Sequence, residues 1–140
     1  MVDLATLAVG SALPQRDHRP DEIDLFLYNA ALWNAHRIHY DQAYATRVEG
    51  YPGLVVPGPH LGDWLTQVVL EWIGDDGVLV EFAYSNRRAA YLGETLRAAG
   101  RVSGIDRERS EVTLELEIRN QRDEVITPGS AVVRLGRAHA

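Results

Sequence analysis

The sequence contains no cysteine and no lysine, and these two absences exclude several kinds of chemistry. Without cysteine, the chain has no disulfide, no thiolate metal ligand and no thiol nucleophile. Without lysine, it has neither an amine for a Schiff base nor the phosphate-binding lysine of a Walker A loop. Any catalysis must therefore use histidine, carboxylates, amides, hydroxyls, arginine or the backbone.

Positive charge is also scarce, because 14 basic residues, all arginine, face 20 acidic residues and give a net charge of −6. No basic run exceeds the pair Arg87-Arg88, so nucleic acid is a poor partner. No stretch approaches the roughly 20 apolar residues that span a bilayer. The first ten residues carry Asp3 and no basic residue, unlike a secretory signal. We therefore expect a cytoplasmic protein that binds neither nucleic acid nor membrane.

The length of 140 residues and the apolar fraction of 46% predict a single domain over residues 1–140. The first half has mostly helical spacing. The pattern predicts a short strand at 13–17, a helix from about 21 to 32, an irregular loop at 33–41, a helix capped by Asp41 and ending near 48, and a long apolar helix at 59–73. In the first helix, apolar residues at 23, 26, 27 and 30 form one stripe.

From residue 78 onward the apolar period is two. The pattern predicts four strands at 79–84, 95–105, 112–119 and 125–135, with turns rich in Gly, Asp and Asn between them. Residues 112–118 alternate without a break, as half-buried antiparallel strands do. A bent antiparallel sheet wrapped around the long central helix would satisfy the burial demand of both elements. The sequence therefore predicts an α+β fold of the hotdog kind.

Polar side chains are concentrated in residues 34–41, where Asn34, His36, His39 and Asp41 lie within eight positions. One interpretation is a surface loop with exposed histidines, in which Asp41 only caps the next helix. The other is a reactive site, since histidine titrates near neutral pH and moves protons there. The two flanking helices favour a loop that is held in place.

A second candidate lies at the start of the long helix, where Pro57-Gly58-Pro59 precedes His60. The prolines have no N–H, so the Gly58 N–H stands out as a free donor, followed by the His60 N–H. Such a donor at a helix N-terminus can hold a carbonyl oxygen that becomes negative during a reaction. The alternative is that the prolines only make a rigid start to the helix.

Together the two motifs resemble the MaoC-like dehydratase/hydratase branch of the hotdog superfamily, including the type 2 3-hydroxyacyl-thioester dehydratases. The resemblance spans about residues 7–135 and is most specific at residues 36–44. It is carried by residues 33–45 (Trp-Asn-Ala-His-Arg-Ile-His-Tyr-Asp-Gln-Ala-Tyr-Ala) and 49–59 (Glu-Gly-Tyr-Pro-Gly-Leu-Val-Val-Pro-Gly-Pro).

The resemblance implies addition of water to a 2,3-enoyl thioester, or its reversal, without metal or organic cofactor. It implies that His39 moves protons and that the Gly58 N–H polarises the thioester carbonyl. Asn34 occupies the position of the family's acidic residue and would orient water, although an amide cannot take up a proton at neutral pH. Pro57 stands where many relatives have a histidine, a part that His60 could take over.

The resemblance also implies a substrate and a partner. Coenzyme A phosphates would suit arginine forks, and the candidates are Arg37, Arg87 and Arg88. His36 and Asp41 are further candidates for contact with the substrate. Sites of this family form between two subunits, so we expect a homodimer or a heterodimer with another hotdog subunit.

The sequence is compatible with three functions. The first is an (R)-specific enoyl-CoA hydratase or 3-hydroxyacyl-thioester dehydratase. The second is a catalytically impaired hotdog subunit that assists an active homologue, which the departures at Asn34 and Pro57 motivate. The third is a hotdog acyl-CoA thioesterase.

Overall fold

The computed structural model describes residues 2–136 of the chain. Within these residues, three helices and five strands make up the fold. They are β1 (Arg16–His18), α1 (Glu22–Ala31), α2 (Gln42–Arg47), α3 (Gly58–Ile73), β2 (Gly77–Tyr84), β3 (Leu96–Asp106), β4 (Glu111–Arg119) and β5 (Val125–Leu135). Short 3-10 turns cover Arg37–His39 and Gly74–Asp76. The order of elements agrees with the prediction from the sequence.

The five strands form one antiparallel sheet in the order β1-β3-β4-β5-β2. Along β4, the side chains of Val112, Leu114, Leu116 and Ile118 are buried, while Thr113 and Glu115 between them are exposed. The period of two therefore identified the buried face of this strand correctly. The buried face is covered by α3, which contacts β2, β3, β4 and β5.

Helix α3 is the central element of the hydrophobic core. Its buried side chains are Leu61, Trp64, Leu65, Val68, Val69 and Ile73, and they recur at the three- and four-residue spacing of one helix face. The predicted central helix wrapped by sheet is confirmed. The first residues of α3 are thereby held in a fixed position relative to the sheet.

Helix α1 begins as predicted, but its apolar stripe points away from the core. Asp21 caps the helix in a capping box with Asp24. Ile23, Phe26 and Leu27 are each about 60% exposed or more, and Leu25 is the apolar residue that is buried. Periodicity reveals that a face is apolar, but it does not say which surface covers that face.

Two other predictions differ in detail from the structure. The first strand begins at Arg16 and not at residue 13, although Leu13 N–H donates to Gly100 O at 2.9 Å. Pro14 has no N–H to donate to the neighbouring strand β3, so regular strand pairing begins only after this residue. The predicted irregular loop contains the 3-10 turn Arg37–His39.

Among residues 2–136, no helix is both long enough and apolar enough to cross a bilayer.

Candidate active site

His39 lies at the end of the 3-10 turn and is held by the segment before α3. Its ring nitrogen Nδ1 is 2.7 Å from the carbonyl oxygen of Val55. The backbone adds a second link, because Val55 N–H donates to Ile38 O at 3.0 Å. The side chain of His39 is buried, with 8% of its surface exposed. Both the position and the rotation of the ring are therefore fixed.

The contact with Val55 also fixes the tautomer of His39. A carbonyl oxygen can only accept, so Nδ1 carries the proton and Nε2 keeps the lone pair. Burial lowers the pKa of His39 below its usual 6.5; the hydrogen bond to Val55 opposes this shift and the nearby His36 adds to it. The ring is therefore neutral at pH 7, with Nε2 ready to accept a proton.

Gly58 is the first residue of α3, and its N–H belongs to the set of donors that a helix leaves without an internal acceptor. No acceptor within residues 2–136 is hydrogen-bonded to it. The predicted second donor is not free, because His60 N–H donates to Pro57 O at 3.0 Å. The tight first turn that follows Pro57 makes this bond, so the start of the helix offers the Gly58 N–H alone.

His39 and Gly58 line the same cavity, which we call the His39 cavity and which measures about 210 Å³. Its remaining walls are Val55, Val56, Leu61, Asn86, Arg87, Arg88, Ala89 and Ala90. Four of the residues singled out in the sequence thus come together here: His39, Gly58, Arg87 and Arg88. The cavity combines a neutral imidazole, a backbone donor and two cations.

Asn34 and His36 build the turn that presents His39. Asn34 Oδ1 accepts the His36 N–H at 3.1 Å, and His36 Nδ1 accepts the Ile38 N–H at 3.4 Å. The His36 ring lies 5.8 Å from the His39 ring, centre to centre. The side chain of Asn34 lines a neighbouring apolar groove, the α1 groove, together with Phe26, Asn29, Ala30, Trp33, Ala35 and Tyr40. Asn34 is therefore linked to His39 through the backbone of the turn.

Arg37 and Asp41 bond to each other outside the His39 cavity. The Arg37 guanidinium donates to Asp41 Oδ2 at 2.7 and 3.1 Å and lies over the Tyr44 ring at 4.3 Å. Asp41 also accepts the Tyr44 N–H at 3.0 Å, which confirms that it caps α2. The Tyr44 N–H and the Arg37 guanidinium together hold the pKa of Asp41 below its usual value. This carboxylate is engaged in structural contacts.

His60 belongs to a different part of the molecule from the His39 cavity. Its ring stacks on the Tyr28 ring with a distance of 4.0 Å between the ring centres, and it packs against the Trp64 ring at 4.4 Å. The His18 ring also stacks on Trp64, at 4.2 Å. We call this set of four rings the aromatic stack. Tyr28 is tied in addition to Asp63, to which its hydroxyl donates at 2.6 Å. In this arrangement His60 packs α3 against α1 and does not line the cavity.

Two elements of the site were missed in the sequence. One is the Val55 carbonyl, a backbone group that carries no sequence signal. The other is Asn86, which lines the cavity beside Arg87 and whose amide lies against Gly58. The polar run after β2, Ser-Asn-Arg-Arg at 85–88, was the only local signal for it. Across the described part of the chain, no three His, Asp or Glu side chains converge as metal ligands would.

Comparisons with known proteins place this architecture in a family. The family model for hydroxyacyl-thioester dehydratase type 2 matches residues 9–92, so the chain belongs to that family of hydratases and dehydratases. The mesaconyl-C(4)-CoA hydratase of Chloroflexus aurantiacus is 62% identical over 40 residues. That match covers 29% of this chain and 14% of the relative, so the matched segment is a small part of that longer protein.

Solved structures confirm the hotdog fold. The (R)-hydratase of A. caviae involved in PHA biosynthesis superimposes with a TM-score of 0.85 at 20% identity, over 93% of this chain and 98% of the other. The ChsH1-ChsH2 complex of Mycobacterium tuberculosis gives a TM-score of 0.81 at 16% identity, over 91% of this chain and 98% of the matched one. At these identities the likeness concerns the fold.

Proposed function

We propose that the protein is an (R)-specific enoyl-CoA hydratase, or equally a 3-hydroxyacyl-thioester dehydratase, since the reaction is reversible. The observation that carries this proposal is the shared cavity of His39 and Gly58, which is lined both by a base with a fixed tautomer and by a glycine at a helix start. Membership of the hydroxyacyl-thioester dehydratase family supports the same chemistry.

In the proposed hydration, the thioester carbonyl accepts a hydrogen bond from the Gly58 N–H. His39 Nε2 takes a proton from water as the water oxygen bonds to C3 and the electrons of the double bond move toward the carbonyl. The protonated imidazole then gives that proton to C2, which regenerates the thioester and the neutral ring. One water is consumed and no net proton is exchanged. Donors already in place at the developing negative oxygen lower the barrier.

One histidine carries both proton transfers in this scheme, because no carboxylate lines the His39 cavity within the described residues. The position of the family's acidic residue is held by Asn34, whose Oδ1 is bonded to the turn. We propose that Asn34 positions His39 through this bond, since Asn34 lines the α1 groove and not the His39 cavity. The lowered pKa of His39 suits the role of base at neutral pH.

The same cavity suggests how coenzyme A is held. Arg87 and Arg88 lie on its rim as an exposed cationic pair, in a chain whose net charge is −6. The Arg88 guanidinium forms an ion pair with Glu124, with 3.7 Å between nitrogen and oxygen. This is a weak surface contact that a phosphate can replace. We propose that these two arginines bind the phosphates of coenzyme A, since guanidinium groups pair with phosphate oxygens.

We further propose that residues 1–140 form one hotdog domain that pairs with a second one. Strand β2 is at one edge of the sheet, and its Val78 and Val80 side chains are more than 40% exposed. An apolar edge strand of this kind invites pairing with another chain. One chain of the ChsH1-ChsH2 complex has this fold, and the name of that complex records an assembly of two different chains. Either a second copy or a related subunit would fit the edge.

Purified protein tests the proposed function with crotonyl-CoA and longer or branched enoyl-CoA substrates. We expect the absorbance of the conjugated enoyl group to disappear, with (R)-3-hydroxyacyl-CoA as the product on a chiral column. No hydration by the protein alone, but hydration after a hotdog partner is added, would support the impaired-subunit alternative. Release of free coenzyme A thiol without a hydroxyacyl product would support the thioesterase and contradict the proposal.

A further inference from the structure

Asn86 occupies an unusually well-defined position for a residue in a loop. The chain continues along β5 after the end of β2, because Ser85 N–H donates to Pro128 O at 3.0 Å and Arg87 N–H donates to Ile126 O at 2.9 Å. Asn86 lies between these two anchored residues. Its backbone is therefore held on both sides, although its side chain is exposed in the isolated chain.

The carboxamide of Asn86 has a defined orientation. Its Oδ1 accepts from the hydroxyl of Thr127 at 3.3 Å, and Thr127 is completely buried. Its Nδ2 lies against Gly58, so that a Cβ added at Gly58 would overlap Nδ2 and come within 3.3 Å of Cγ. A side chain at position 58 would therefore displace the Asn86 amide. The NH₂ group faces the start of α3.

The start of α3 offers too few donors for a developing oxyanion. Pro57 and Pro59 have no N–H, and the His60 N–H is bonded to Pro57 O. The Gly58 N–H is thus the one backbone donor at this point, whereas oxyanion sites commonly combine two or more donors, side-chain amides among them. The Asn86 amide is adjacent to Gly58 and lines the same cavity as His39.

We infer that Asn86 Nδ2 is the second donor to the thioester oxygen, beside the Gly58 N–H, and that Thr127 keeps its carboxamide in the donating orientation. The inference rests on the proposed function and adds a residue to its site. Arg87 and Arg88 remain available for the phosphates. Asn86 would contact the substrate directly, and Thr127 would act as a positioning residue.

Kinetics of Asn86→Ala test the inference. We expect kcat for enoyl-CoA hydration to fall about 100-fold, the usual loss for one oxyanion donor, while KM changes only a few-fold. Thr127→Val is expected to lose part of this rate and Thr127→Ser to keep it. Gln67→Ala, which removes an exposed carboxamide from α3, serves as the matched control, and circular dichroism checks the fold of each variant.

A second measurement separates this inference from the proposed function. Acetoacetyl-CoA serves as the stable analogue in this measurement, because its enolate oxygen carries the negative charge that the donors would hold. We expect the bound enolate to form at a lower pH in the wild type than in Asn86→Ala. An active wild type with an equally active Asn86→Ala overturns the inference alone. If no hydration occurs at all, the proposed function fails, and identical enolate titrations of the two proteins then overturn the inference as well.

Discussion

His39 is buried, the two histidines of the aromatic stack, His18 and His60, are half-buried, and the three rings differ in their hydrogen bonding. Burial lowers the pKa of His39, His18 and His60 alike. His39 has one nitrogen tied to a carbonyl and lines a cavity. In the stack, His18 Nε2 and His60 Nδ1 are buried without a partner among residues 2–136, and the rings pack face to face with aromatic neighbours. A lowered pKa therefore reports burial, and the hydrogen bonds distinguish a reactive ring from a packing ring.

Replacing His39 gives the largest expected effect on the reaction. We expect His39→Ala to lose about 100-fold to 10,000-fold in kcat, because the proposed base for water and the proton donor to C2 are removed together. Crotonyl-CoA hydration measures the rate, and the melting temperature shows whether the fold persists. His36→Ala is the matched control and is expected to lose far less. A His39→Ala protein within a few-fold of the wild-type rate would contradict the assignment.

Asn34 is expected to matter less than His39. Asn34→Ala removes the acceptor of the His36 N–H and loosens the turn, so we expect about a tenfold loss of kcat, the equivalent of one hydrogen bond. Asn34→Asp keeps the acceptor, and a gain in its rate would show that the amide weakens the site. A loss in Asn34→Ala as large as that of His39→Ala would mean that Asn34 itself takes part in the chemistry.

Replacing His60 should affect stability more than rate. His60→Ala removes two ring contacts from the aromatic stack, and we expect the free energy of unfolding to fall by about 1 to 2 kcal/mol. Urea unfolding measures this change, and hydration by the folded variant measures the rate. If His60→Ala unfolds like the wild type and instead loses turnover, the division between packing and reactive histidines is wrong.

His18 is expected to make the fold sensitive to acid. Burial, with help from Arg16 and His60, lowers the pKa of His18 from 6.5 to about 4. Between these values the unfolded chain binds more protons than the folded one, so stability decreases as the pH falls from 6.5 toward 4. His18→Phe keeps a ring beside Trp64 but does not titrate. We expect it to reduce the acid-induced drop in Tm by about a few degrees; an unchanged drop would assign the sensitivity to other groups.

The fold was largely predictable because its signals are local. Three such signals are the unbroken alternation of residues 112–118, the cap at Asp41 and the prolines around Gly58. Each specifies an element with little help from the rest of the chain. The direction of the α1 stripe was not predictable, because Ile23, Phe26 and Leu27 are apolar whatever surface they face.

The candidate site was predictable only in part. His39 and Gly58 stand in recognisable motifs, and the structure brings them to one cavity. The contacts of Asn86 depend on three elements that are distant in the sequence, namely the end of β2, Thr127 on β5 and the start of α3. No local sequence pattern predicts that these elements lie together. His60 follows Gly58 by two residues, but the helical turn directs its ring toward Tyr28.

The most direct test of the central claim follows the His39 ring itself. Nitrogen NMR of the imidazole, titrated alongside the pH profile of kcat/KM for crotonyl-CoA, gives the tautomer and the pKa of the group that limits the rate. We predict a proton on Nδ1, a lone pair on Nε2 and a ring pKa below 6.5 that coincides with the acid limb of the profile. A proton on Nε2 in the neutral ring, or an acid limb that persists unchanged in His39→Ala, would contradict the account.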